Sequence, residues 1–137
     1  MASLHLRLPD ELDEYLSGTA RQTRRSKNEV AALMLEEARR NRLFPGIAFR
    51  GSDWARRPFL ISCGLDVWEA VSIIRDYEAQ PERLTDETVL RTADVTLASA
   101  YHERFPEEIE EAIRANEHGI TELHRRYPTI ATLTVAE

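Results

Sequence analysis

Apolar and polar positions alternate at the start of the chain, where Leu4, Leu6 and Leu8 interleave with Ser3, His5 and Arg7. A period of two predicts a short strand over residues 4–8, leucines on one face and Ser3, His5 and Arg7 on the other. Pro9 stops the alternation and suits the first turn of a helix, where a missing N–H costs nothing. Leu12, Tyr15, Leu16 and Ala20 then recur at helical spacing and predict a helix over about residues 10–20, weakened by Gly18. After the turn QTRR, Ser26 and Glu29 have capping-box spacing and open a second helix over about residues 27–40. That helix carries Val30, Ala31, Leu33, Met34, Leu35 and Ala38 around most of its circumference, more than one chain can cover.

Further on, IAFRG and RPFLIS read as two short strands joined by the polar loop SDWAR. Gly64 ends the second strand, and Asp66 with Glu69 caps a helix bearing Val67, Val71 and Ile74. Pro81 terminates it. Thr85 starts another helical stretch, with Val89, Leu90, Ala93, Leu97, Ala98 and Tyr101 at helical spacing and a break expected around Asp94. Pro106 opens a last helix containing Ile109, Ala112 and Ile113, with Gly119 as its stop signal. Residues 121–127 add a helical turn or two before Pro128, and TIATLTV is β-prone. The reading is α+β, mainly α, in three segments: residues 1–42, a domain of a short hairpin and a helical bundle over residues 43–119, and a tail over residues 120–137.

A five-residue strand without a neighbour cannot satisfy its own backbone donors and acceptors. The same strand from a second copy solves this, because antiparallel pairing puts Leu4, Leu6 and Leu8 of both chains on one face. The two helices bury that face, so Val30, Leu33 and Met34 join the three leucines as the expected core of a homodimer. Ser3, His5 and Arg7 are left outward and doubled by the two-fold axis. A two-stranded ribbon fits the DNA major groove, where arginine pairs bidentately with guanine.

Charge changes this picture less than its total suggests. The net charge is -6. Residues 1–42 hold eight Lys or Arg against seven Asp or Glu, about +1, whereas residues 43–137 hold ten against seventeen, about -7. Arg21, Arg24, Arg25 and Lys27 form a basic turn with no acidic residue among them. A basic front and an acidic body favour nucleic-acid contact through the N-terminal segment alone. The single Cys63 excludes an internal disulfide, fits a reducing cytoplasm and reads as a small buried filler. No apolar run reaches the length of a membrane span, and the first twenty residues do not read as a secretory leader.

The order strand, Pro, helix, basic turn and Ser-capped apolar helix, as LHLRLPDELDEYL followed by RRSKNEVAALMLEEA, resembles the ribbon-helix-helix family of bacterial repressors and antitoxins over about forty residues. The resemblance implies that Ser3, His5 and Arg7 read bases, and that Ser26, Lys27 and Asn28, with Arg25 beside them, hold DNA phosphates. A helix N-terminus favours an anion on physical grounds as well. The alternative is a ribbon that dimerises and touches no DNA.

A second resemblance covers roughly seventy residues. Gly64 to Trp68, the Leu84-Thr85 pair, Ala98 to Tyr101 and Pro106 to Ile109 are similar to a small helical domain of bacterial antitoxins that accompany PIN-like ribonuclease toxins. The stretch between Thr85 and Tyr101 is longer here than in that pattern. The resemblance implies an antitoxin with three partners: operator DNA, a PIN-like toxin protein and a second copy of itself. An extended tail can add to the edge of a partner's sheet, which makes Arg125, Arg126, Ile130 and Leu133 the candidate toxin-binding residues; the alternative is a tail folded onto its own domain. A stand-alone ribbon-helix-helix regulator with a C-terminal oligomerisation or ligand-sensing domain is the competing reading. A second DNA-binding fold over residues 43–119 is disfavoured by its acidity.

No catalytic constellation stands out. His5, His102, His118 and His124 lack metal-ligand spacing, and Cys63 has no metal partner in the sequence. Glu107, Glu108, Glu110 and Glu111 read as a solvated helix face, while Trp68 reads as a core residue and Trp54 as core or an exposed loop anchor. The expectation is no enzyme, no metal and no cofactor.

Overall fold

Pro9 sits one residue before the first helix, as its N-cap with extended backbone, rather than in its first turn. In the computed structural model, which describes residues 1–53 and 55–129, α1 spans Asp10–Thr23 with Asp10, Glu11 and Asp13 in its first turn, where acidic side chains favour the positive end of the helix. Trp54, Ile130 and Leu133 fall outside the described residues, and so does the β-prone end of the tail. Helix α1 outruns its expected end by three residues because Thr23 is buried and its hydroxyl donates to the Thr19 carbonyl at 2.8 Å. Arg24 then turns left-handed (φ 54°, ψ 39°), and the N–H groups of Arg24 and Arg25 donate back to the carbonyls of Arg21 and Ala20. That closes the helix in the double back-bonded manner that usually uses glycine.

Helix α2, Lys27–Leu43, starts where Ser26 predicts: the Glu29 N–H donates to the Ser26 hydroxyl at 3.1 Å. Strands β1 (Ile47–Arg50) and β2 (Arg57–Leu60) form an antiparallel hairpin in which Ile47 pairs with Leu60 and Arg50 with Arg57. Alternation sends Ile47, Phe49, Pro58 and Leu60 to one face and Ala48, Arg50, Arg57 and Phe59 to the other. Ile47, Pro58 and Leu60 are buried, and β1 packs against α2. The compact units divide at Ile61, so the hairpin belongs with the first unit (Met1–Ile61) and not with the helices that follow.

The second unit begins at Ser62. Helix α3 (Val67–Asp76) is entered through the predicted capping box, with the Asp66 N–H donating to Glu69 at 3.0 Å. A 3-10 turn at Pro81–Arg83 and the short α4 (Leu84–Glu87) lead to α5 (Thr92–Arg104). The break therefore falls at residues 88–91, not at Asp94. Thr88 stops α4 by donating its hydroxyl to the Leu84 carbonyl and accepting the Leu90 N–H, while Asp94 accepts the Arg91 N–H at 2.9 Å and caps α5. Helix α6 (Pro106–Arg126) runs through Gly119 rather than stopping there. A helix-interior glycine costs only about 1 kcal/mol relative to alanine, and Glu122 accepts from both Arg125 and Arg126 in the last turn. Val67, Ala70, Val71, Leu84, Leu90, Ala98, Tyr101 and Ile109 are buried in this unit.

The molecule is thus α+β and mainly helical, with one two-stranded antiparallel hairpin among the described residues. None of the described helices is long and apolar enough to cross a membrane.

Candidate nucleic-acid interface

Residues 1–9 lie outside any helix or strand in the single chain. Among the described residues no backbone partner meets Ser3 to Leu8, so the strand predicted over residues 4–8 is not formed in the single chain, where nothing supplies its hydrogen bonds. The leucines split. Leu8 is half-buried against the small cluster of Leu16, Ala20 and Val30, together with Ala31 and Met34. Leu4 and Leu6 remain 70% and 61% exposed. Leu33 stays 49% exposed, so the fold gathers Leu8, Val30 and Met34 of the expected dimer core and leaves Leu4, Leu6 and Leu33 uncovered. Leu12, Tyr15 and Leu35 are exposed as well. Exposed apolar area of this extent around one helix pair is costly for a lone chain and is the usual mark of an interaction surface.

Ser3, His5 and Arg7 are exposed, as are Leu4 and Leu6 between them. The phosphate candidates cluster at the α1–α2 turn. Ser26 uses its hydroxyl as the helix cap, and Asn28 is exposed in the first turn. Lys27 Nζ lies 2.5 Å from Asp13 Oδ1, an exposed pair that competes with any anion offered to the lysine but is weakly held in water. Arg25 Nη1 reaches the Asp53 carbonyl in the hairpin loop at 3.4 Å. That contact joins two parts of the sequence that were read as separate domains.

Sequence reasoning missed the hairpin's contribution. Arg56 donates to both carboxylate oxygens of Glu37 on α2, at 2.9 and 3.2 Å, and to the carbonyls of Gly51 and Phe49 at 3.2 and 3.1 Å. The hydrogen bond to the Glu37 carboxylate raises the Arg56 pKa. Arg50 and Arg57 sit directly opposite one another on the outer strand face, and the Arg50 guanidinium lies 4.5 Å from the centroid of the Phe59 ring. The alternation in AFR and RPF carried that signal. Counted over the observed units, residues 1–61 hold eleven Lys or Arg against eight Asp or Glu (+3), and residues 62–137 hold seven against sixteen (-9).

The second unit offers different chemistry. Glu110 takes hydrogen bonds from Arg75 and lies 2.8 Å from His102 Nε2; these partners hold its carboxyl at about 2. Asp94, buried, accepts from Ser62 as well as from the α5 N-terminus. Arg125 and Arg126 are exposed on the last turn of α6 and both pair with Glu122, so neither projects from an extended tail. Ile120 and Leu123 are exposed along the same helix. Among the described residues no group of three or more His, Cys, Asp or Glu is placed to hold a metal.

No family model, curated protein or solved structure matches the chain.

Proposed function

We infer that the chain is a homodimeric DNA-binding regulator of the antitoxin type, reading an operator through residues 3–7 of two paired strands. The observation that carries this reading is the exposure of Leu4 and Leu6 beside a helix pair whose core is only Leu16, Ala20 and Val30. A second copy supplies both the missing backbone partners and the missing cover. The same pairing sets His5 and Arg7 outward on the more basic of the two units. The acidic second unit holds the toxin protein in this proposal, with Arg125, Arg126 and the exposed Ile120 and Leu123 on the α6 end available to it. The PIN-like identity of that toxin rests on the resemblance of residues 64–109.

The test is operator binding by Arg7→Ala, using the DNA upstream of the protein's own coding region and a random duplex of equal length. Loss of a base contact lowers operator affinity by about 1–3 kcal/mol and relaxes specificity. Equal binding of wild type and variant to both duplexes removes Arg7 from base reading.

A further inference from the structure

We propose that the C-terminal half of α6 pairs antiparallel with the same segment of a second copy, through Ile120, Leu123 and Tyr127. The contact is separate from residues 4–8 and does not rest on the DNA-binding reading.

Only the first half of α6 is packed on its own unit. Ile109 is buried, and Ala112 and Ile113 are half-buried. From Arg114 to Arg126 every residue is exposed except Glu122 and His124, which are half-buried. A helix of about 12–15 residues is marginal in water without tertiary packing. The pairs of Glu122 with Arg125 and Arg126 support the last turn, but the apolar side chains still face water. Ile120 and Leu123 are each 44% exposed, and Tyr127, the C-cap, is 56% exposed.

The spacing of that surface says what covers it. Ile113, Ile120 and Tyr127 recur every seven residues, and Asn116 and Leu123 follow three residues after the first two. This is the seam by which one helix packs lengthwise on another. Gly119, beside the seam, points the same way. A Cβ there would meet nothing within 4 Å, so no contact of the single chain requires a glycine that weakens the helix. A second helix lying along the seam does use the missing side chain.

Charge selects a second copy in antiparallel order. Residues 114–127 hold three basic and two acidic residues, within a unit of seven basic and sixteen acidic. Two copies therefore meet here with little repulsion. Antiparallel order sets Ile120 of each copy on Leu123 of the other, and Asn116 opposite Tyr127. It also brings Glu117 of one copy beside His124 of the other, twice over by symmetry. His124 Nε2 is sheltered from water and has no hydrogen-bond partner among the described residues, and a small turn of the ring offers it that carboxylate. Parallel order would instead bring the two Arg125–Arg126 turns together and align the two helix dipoles. The face is smaller than a standard interface, so the contact is weak and supplements the pairing of residues 4–8. The toxin proposed for the same residues would compete with it.

The experiment is disulfide trapping of full-length chains in a C63S background under oxidised glutathione, read on a denaturing gel. N116C/Y127C is trapped as a covalent dimer, whereas N116C alone and Y127C alone stay monomeric. Residues 116 and 127 lie about 16 Å apart along one helix, too far for a bond within one chain. Adding Leu123→Glu, at an exposed position, lowers the yield of N116C/Y127C to that of the single-cysteine chains. Strong trapping of N116C alone overturns the antiparallel order and the proposal with it. No trapping of N116C/Y127C leaves the face to another partner and overturns the self-contact, whatever Arg7→Ala does to operator binding.

Discussion

The two compact units of this chain solve the burial problem in opposite ways. The second encloses Tyr101, Leu90, Val67 and Ile109 with almost no exposure and caps its helices from within, through Asp66 and Asp94. In the first, the α1–α2 pair buries only Leu16 and Val30 among its large apolar side chains and leaves Leu4, Leu6, Leu12, Tyr15, Leu33 and Leu35 exposed. The difference does not come from a shortage of apolar residues. It comes from their arrangement: α3 concentrates them on one side, whereas α2 spreads them around its circumference. An element built in this second way leaves apolar surface uncovered, which is what the proposed dimer would bury.

The largest effect that would break the comparison is on assembly. In the proposed dimer Leu6→Asp puts a charge where the two copies would pair, and desolvating an unpaired carboxylate costs several kcal/mol. The expected outcome is a monomer by sedimentation at concentrations where wild type is a dimer, with loss of DNA binding. A variant that remains dimeric at low concentration removes residues 4–8 from the interface.

Tyr101→Ala tests the other side. Tyr101 is fully buried, packs at a tilt against Phe105 with ring centroids 4.9 Å apart and donates to Glu108 at 3.2 Å. Truncating a buried aromatic costs about 3–5 kcal/mol, so the second unit should melt well below wild type while the N-terminal dimer persists. Joint loss of mass and melting temperature would show that the first unit depends on the second for its assembly.

What the sequence revealed follows the range of each interaction. Caps were legible because they are local: Ser26 with Glu29 and Asp66 with Glu69 begin helices within a residue of where they were expected. The continuity of α6 through Gly119 is not legible from that glycine, because the pairs that Glu122 makes with Arg125 and Arg126 lie in the turn beyond it. Membership of the hairpin was illegible because it depends on pairs far apart in sequence, Arg56 with Glu37 and Arg25 with Asp53. For the candidate interface, alternation marks two faces of residues 3–8 that the single chain leaves equally exposed up to Arg7, and the cations opposed across the hairpin require the register.

The smallest effect concerns backbone strain at the basic turn. Among the described residues four have positive φ: Gly46, Gly51, Gly64 and Arg24. Glycine takes that conformation without a Cβ clash, whereas an L side chain gives up on the order of 1 kcal/mol there. The chain uses glycine at three such sites and an arginine at the one beside the α2 N-terminus, where under the proposed DNA contact a cation would favour a phosphate and a glycine would offer none. Arg24→Gly should therefore raise the stability of the first unit by up to about 1 kcal/mol, measured by denaturation at fixed protein concentration, and weaken DNA binding equally on operator and random duplexes. A rise in stability with unchanged DNA affinity would leave the strain real but its use elsewhere. Lower stability would mean that contacts of the Arg24 side chain outweigh the strain, and would make the basic turn, like the second unit, a feature built for its own fold.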